Sequence, residues 1–399
     1  MAEGALFNLH VVDISQGIAG PYCAGLMAGV GAEVIKVEPL EGDAARRSGP
    51  FFHDDPHPEK SGLFLYINQG KRGITLNLGS TTAHDLFLKL VAWADVVIES
   101  FKPGYLASLG LGYAELEKVN PRVILTSITP FGQSGPYRDW KGTELISYAM
   151  GGQMYQFGDP DKEPLKTGGS VAQYFAGMMG MSATLTAMFN RRVTGEGQHV
   201  DLSMTEAIAS MLEGSTAGWK YAGAISGRSA NSGRTAAEGQ YQCKDGYVQV
   251  STVVGNNASF QRFKDLMGVP ELGDPRFAAA EGRIEHRAEI DRLMQPWLLS
   301  HTKLEIYELA QANRLPFGYA STSEDLINSP QFKARGYFVD LDHPVTGTLT
   351  YPGAPYKMTE TPWQTARAPL LGEHNAEVYC TQLGLHKEDL ARLRAEGVV

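Results

Sequence analysis

Chemistry at a protein site needs nucleophiles, proton carriers or metal ligands at workable spacing, and this sequence offers them thinly. Its ten histidines are scattered, none at a metal-binding spacing. Its three cysteines, Cys23, Cys243 and Cys380, are odd in number and far apart. With no CxxC pair, neither a disulfide framework nor a zinc site is expected. Carboxylates lie close together at Asp54-Asp55 and at Asp159 and Asp161, beside Pro and Lys. They read as turns and solvated faces rather than acid–base pairs. GxGxxG, Walker A, HExxH and GxSxG motifs are all absent. No metal and no covalently held cofactor is expected.

The whole-chain balance excludes further classes. The 399 residues carry 35 Lys and Arg against 44 Asp and Glu, a net charge of -9. A nucleic-acid partner wants a basic face, so none is expected, although a local basic patch for a phosphorylated ligand stays open. No apolar run approaches the ~18 residues of a membrane span. The opening MAEGALFNLHVVDIS lacks a basic stretch followed by an apolar one, so a cytoplasmic protein is expected.

Any site must be carried by elements that alternate. His10 to Ile14 reads as a strand, Gly17 to Gly20 as a turn, Pro21 to Gly29 as a helix and Glu33 to Val37 as a strand. Strand-like Gly73 to Leu78, an amphipathic helix Thr82 to Ala94, and strands Asp95 to Glu99 and Val123 to Ile128 follow. This order predicts an α/β protein with a parallel sheet, and apolar runs such as VVI and VIL predict strands covered on both faces. A long helix is expected over Val171 to Arg192, then a strand Val200 to Ser203 and a helix Thr205 to Leu212. From about Gly218 the texture becomes loop-like. Gly239 to Val254 alternates like a hairpin with Asp245-Gly246 at its turn, helical segments run to about Ala312, and HPVTGTLTYPGAP reads as a second hairpin before a final helix.

Six phrases stand out in order: VVDISQGIAGPYCAGLMAGVGAEVIKVEPLEGD, NQGKRGITLNL, ADVVIESFKPGYLASLGLGY, NPRVILTSITPFGQSGPY, TGEGQHVDLSMTEA and RAPLLGEH. Together they resemble the family III (CaiB/BaiF-type) CoA-transferases, such as formyl-CoA transferase, over nearly the whole chain. The resemblance implies a Rossmann-like large domain built from both chain ends, with an inserted small α+β domain and two subunits interlocked. The texture then divides the chain into large-domain residues 1–217, a linker 218–238, a small domain 239–325, and a return linker with the C-terminal part of the large domain, 326–399.

The family reaction moves CoA from an acyl-CoA to a free carboxylic acid. An aspartate attacks the thioester, giving an anhydride and then an aspartyl-CoA thioester. The matching stretch here is KTGGSVAQYFAG, and the aspartate position falls on Gln173. An amide is uncharged and a poor nucleophile, so the covalent step is not expected of this chain alone. The resemblance carries CoA contacts onto Gln16, Gly17, Ile18 and Ala19, onto Leu76 to Gly79 including Asn77, and onto Ser100, Phe101 and Lys102. Lys71, Arg72 and Lys141 are expected near phosphates. Glu144 is the one retained carboxylate expected near Gln173. Two family arginines fall on Pro39 and Ser108, which weakens phosphate binding. The histidine of the racemase branch falls on Thr143, which disfavours racemisation. The glycine-rich flap of formyl-CoA transferase is replaced by RTAAEGQYQCKDG, so oxalate or formate chemistry is not supported.

Three readings follow. The chain is a subunit lacking the nucleophile, as in the heteromeric succinyl-CoA-dependent transferases for benzylsuccinate or malate, with a homologous partner carrying the Asp. Or it is an active homodimer with Glu144 as a displaced nucleophile. Or it is a non-enzymatic acyl-CoA binder.

Overall fold

Six short runs of β-branched residues assemble into one parallel sheet. They are β1 (His10–Asp13), β2 (Glu33–Glu38), β3 (Arg72–Thr75), β4 (Val96–Glu99), β5 (Ile124–Thr129) and β6 (Gln198–Ser203), in the order β3-β2-β1-β4-β5-β6. The computed structural model describes residues 4–228, 236–252 and 256–399. These divide into two compact units: residues up to 153 with 166–213 and 334–399, and residues 154–165 with 214–333.

In the first unit both sheet faces are covered. Val11, Val34, Val96, Ile98, Ile124 and Ile128 pack beneath α1 (Ala19–Gly29) and the long helix that follows residue 170. Val12, Ile35, Val37, Ile74, Val97 and Leu125 point the other way. They meet α2 (Thr81–Trp93), α3 (Tyr113–Val119) and C-terminal residues such as Tyr379 and Leu393. Alternation at period two in runs apolar throughout is what a doubly covered strand requires. The polar strand residues gather at the C-terminal ends: Asp13, Lys36, Glu38, Thr75, Glu99, Ser127 and Thr129 are all buried there.

Two further helices matter to the site. α4 (Glu144–Met150) starts at Thr143, whose side chain accepts from Ile146 N. α5 (Val171–Thr194) ends at Gly195, which is left-handed with φ 81°. A Cβ at Gly177 of α5 would lie 2.7 Å from Ala19 O, so glycine there lets α5 pack hard against the start of α1.

The β3 edge is closed from far along the chain. Thr75 N donates to Asn375 Oδ1 at 2.9 Å, Tyr379 Oη donates to Thr75 O at 2.7 Å, and Asn77 N donates to Val398 O at 2.9 Å. An antiparallel hairpin, Phe338–His343 with Gly347–Pro352, matches the expected second hairpin.

The second unit holds an antiparallel sheet of β7 (Glu238–Cys243), β8 (Gly246–Ser251) and β9 (Gly318–Tyr319). Helices Asn257–Met267, Arg287–Ser300 and Lys303–Ala312 pack on it around Phe263, Met294 and Ile306. The β7–β8 turn is Lys244-Asp245, one residue before the expected Asp245-Gly246. Residues 253 and 254 at the end of that expected hairpin lie outside the described residues. So do 229–235 of the expected linker, with the start of the phrase RTAAEG. The linker expectation is also corrected at its start. Residues 218–222 belong to the helix Ser215–Ala222, where backbone N–H groups bond backbone carbonyls one turn earlier, as Gly218 N does to Gly214 O at 2.7 Å.

Candidate active site

The strand order reverses between β1 and β4, and an open parallel sheet binds ligands in the crevice beyond the strand ends at such a point. The loops leaving these strands are tied across it. Gln16 N donates to Ser100 Oγ at 2.9 Å, and Ser100 Oγ donates back to Gln16 O at 3.1 Å. Beside this pair opens a cavity of about 310 Å³. Gln16, Leu76, Asn77 and Phe101, onto which the resemblance carries CoA contacts, line it with Pro39, Glu41 and Tyr105. Gly17, Ile18 and Ala19 lead from the same loop into α1.

No lysine or arginine is among the lining residues. Glu38, also on the wall, is taken by Arg46, which donates Nε to Oε2 at 2.7 Å and Nη2 to Oε1 at 2.8 Å. Sequence reading missed Arg47, an exposed cation on the loop that follows Glu41 of this wall. Its Nη1 donates to Glu41 O at 3.1 Å and Gly42 O at 3.4 Å. The doublet Arg46-Arg47 was the available signal, with one member buried and one free to face a phosphate. Arg47→Ala is expected to weaken acyl-CoA binding about three- to tenfold with the fold intact, read by calorimetric titration against the unchanged protein.

The loop over the crevice stands on a buried ion cluster. Lys36 Nζ lies 2.8 Å from Asp43 Oδ2 and also donates to Ser15 O. Asp43 Oδ1 accepts from Gly17 N at 2.9 Å and Ala45 N at 2.8 Å. Lys71 Nζ donates to Asp13 Oδ2 at 2.8 Å, to Pro21 O at 2.7 Å and to Asn68 Oδ1 at 2.7 Å. Two carboxylates thus balance two ammoniums in the core, which is the only way such charges are tolerated there. Burial alone would raise Asp13, but Lys36 and Lys71 hold it below the ordinary carboxylate range. Burial pulls Lys71 down to about 8 against the opposing field of Asp13.

The expectation that Lys71 meets a phosphate is corrected by this geometry. Its ammonium is enclosed and all three of its protons are used. Arg72 is also engaged, donating Nη1 to Glu377 Oε1 at 2.9 Å and pairing Nη2 with Glu33 and Gln382 at the sheet edge. Lys102 lies apart from the 310 Å³ cavity, in a neighbouring groove, and Lys141 is exposed two residues before Thr143.

Gln173 sits in the first turn of α5. That turn meets the first turns of α1, with Tyr174 edge-on to Tyr22 at 4.8 Å. Ser170 gives α5 no side-chain cap. Glu144 supplies it instead: Oε1 accepts from Ala172 N at 3.1 Å and Oε2 from Gln173 N at 3.0 Å. Lys166, a second residue that sequence reading missed, lies 3.2 Å from Glu144 Oε1 and donates to Thr167 O and Gly169 O. A carboxylate bonded to helix-end amides is stabilised as the anion, and here both its oxygens are occupied. The structure therefore brings Gln173 and Glu144 together, with Glu144 in a capping role.

Among the described residues no group of three His, Cys, Asp or Glu is placed to hold a metal ion, and no helix is long and apolar enough to cross a membrane.

Comparison with known proteins agrees with this frame. The chain is 34% identical over 405 residues to succinyl-CoA–D-citramalate CoA-transferase of Chloroflexus aurantiacus, covering 99% of this chain and 98% of that protein. It is 34% identical over 402 residues to the succinyl-CoA:(R)-benzylsuccinate CoA-transferase subunit BbsE of Thauera aromatica, covering 97% of each. The crystal structure of a CaiB/BaiF family protein from Brucella suis superposes with a TM-score of 0.87 at 31% identity, covering 95% of this chain and 99% of that one. The profile of CoA-transferase family III matches residues 6–375, and the chain belongs to that family of CoA-transferases.

Proposed function

We propose that this chain is the subunit of a CoA-transferase that binds a CoA thioester but does not itself form the covalent intermediate. The transfer runs between an acyl-CoA and a free carboxylic acid in the cytoplasm. A homologous partner supplies the aspartate.

One observation carries this reading. The first turn of α5 presents the amide Gln173, and the carboxylate beside it, Glu144, is engaged by two backbone amides and Lys166. A capped, ion-paired carboxylate is a weakened nucleophile, which disfavours the Glu144 alternative. A relative whose name is that of a subunit supports a heteromer. So does the solvent-facing side of α5, where Met178, Met179, Phe189 and Val193 are exposed, the last two at 72% and 79%. Apolar side chains at that density want a covering surface, and a second family III subunit, interlocked with this one, is the cover proposed.

In this reading the 310 Å³ cavity takes the nucleotide end of CoA, and Gln16 to Ala19 lead its thiol arm toward α5. Gln173 and Glu144 then border the acyl group without bonding to it covalently.

Steady-state assays test the reading. The purified chain is expected to transfer CoA between succinyl-CoA and a dicarboxylic acid at least about a thousandfold more slowly than the complex reconstituted with a homologue bearing aspartate at the position of Gln173. Turnover by the pure chain at the rate of the complex would overturn it. Acyl-CoA binding with no turnover in any such complex would favour the non-enzymatic reading instead.

A further inference from the structure

The wall of the switch-point cavity carries a carboxylate that no other side chain engages. We propose that this cavity takes a ribose whose 2′- and 3′-hydroxyls are both free, so that the chain binds 3′-dephospho-CoA and its thioesters in preference to CoA and its thioesters, with Glu41 setting the choice. The inference rests on the reading that this cavity holds the nucleotide end of the thioester.

The strand order β3-β2-β1-β4-β5-β6 is that of the dinucleotide-binding sheets. In those sheets an acidic residue about 20 positions after the first turn accepts from the ribose hydroxyls. Glu38, which ends β2, stands at that place here but is already spent. It is fully buried, both its oxygens accept from Arg46, and Oε2 also accepts from Asp43 N at 2.9 Å. Glu41, on the loop that leaves β2, lines the same cavity and is exposed. Its backbone carbonyl accepts from Arg47, but among the described residues no hydrogen bond or ion pair reaches its carboxylate. A pair of neighbouring hydroxyls supplies the donors that such a carboxylate lacks.

A 3′-phosphate on the same ribose finds no counterpart. None of the residues lining the cavity is a lysine or arginine. Asn77 is engaged at both ends of its amide, with Nδ2 donating to Gly397 O at 3.3 Å and Oδ1 accepting from Gly79 N at 3.2 Å. Lys102 lines the neighbouring groove instead. A phosphomonoester carries a charge of about −1.5 to −2 at neutral pH. Beside an unpaired carboxylate it is repelled, whereas a hydroxyl on the same carbon donates to it. Phe101 and Tyr105, with ring centroids 5.0 Å apart, offer flat faces for the base. Arg47 then serves the diphosphate, which CoA and 3′-dephospho-CoA share.

Calorimetric titration of the purified chain with CoA and with 3′-dephospho-CoA tests this. The dephospho form is expected to bind about three- to tenfold more tightly at low ionic strength, the scale of one exposed like-charge contact. In Glu41→Gln that gap is expected to close to within about twofold, and in Glu41→Lys to reverse, since the side chain is exposed and its exchange leaves the fold intact. Arg47→Ala is expected to weaken both ligands by the same factor. If both bind and CoA is equal or tighter, the cavity reading stands and this inference is overturned. A gap that persists in Glu41→Gln would overturn the assignment to Glu41. A loss in Arg47→Ala confined to CoA would place the 3′-phosphate on Arg47 and overturn the inference as well. Binding of neither ligand at about 1 mM would overturn the cavity reading itself, and this inference with it.

Discussion

Gln173→Asp is expected to turn a chain that forms no adduct into one that is captured covalently by an acyl-CoA. The position is prepared for an anion. It lies in the first turn of a 24-residue helix, where partial positive charge favours a carboxylate, and Lys166 stands close by. The new carboxylate oxygen would attack the thioester carbonyl and release CoA thiolate, leaving an acyl-aspartyl anhydride. The thiolate would then attack the aspartyl carbonyl and release the acyl group as a free carboxylate. What remains is an aspartyl-CoA thioester. Intact-mass spectrometry after mixing with succinyl-CoA is expected to show a gain equal to CoA less one water in the variant and none in the parent chain. Turnover is expected to rise at least about a hundredfold, the scale on which a missing nucleophile limits rate. An adduct on the parent chain that maps to Glu144 would overturn the argument. So would a variant that binds succinyl-CoA yet stays unmodified.

The second large effect concerns the ion cluster under the crevice loop. Asp13→Ala is expected to cost about 3–5 kcal/mol, because it strips Lys71 of its carboxylate and leaves Asp43 alone to balance two buried ammoniums. Lys71→Met is expected to be costly for the mirror reason. The double variant Asp13→Leu with Lys71→Met is expected to lose less than the two single losses summed, since apolar groups of similar size replace a matched pair. Urea unfolding of the four proteins measures the coupling. Strict additivity would mean that the charges do not interact and that the cluster is not what steadies Gly17.

Much of the first unit is legible along the chain because its rules are local. Runs such as DVVIE and VILTSI can bury both faces only in a covered parallel sheet, and α5 was foreseen within two residues of its observed end. The hairpin at Phe338–Pro352 was equally readable from its turn chemistry. The site was less legible because its side chains act across distance in sequence. Lys71 looks like a solvated turn lysine until Asp13, 58 residues earlier, is seen against it. Glu144 looks like a retained catalytic carboxylate until it is found capping a helix that starts at Val171. The helix over Ser215–Ala222 was missed because its Gly, Ser and Ala residues read as loop, whereas helical hydrogen bonding there needs only that no side chain forbids it.

The closure of β3 has a consequence for how the chain is made. The partners of Thr75 lie 300 and 304 residues further along. At a synthesis rate of about 5–20 residues per second, that strand edge waits roughly 15–60 s on the ribosome before its cover exists. During that interval the nascent sheet offers unpaired backbone groups to any neighbouring strand. Newborn chains are therefore most exposed to mispairing between the completion of β3 and the arrival of Asn375 and Tyr379. A chaperone that shields this edge would have to remain bound while the entire second unit is being synthesised.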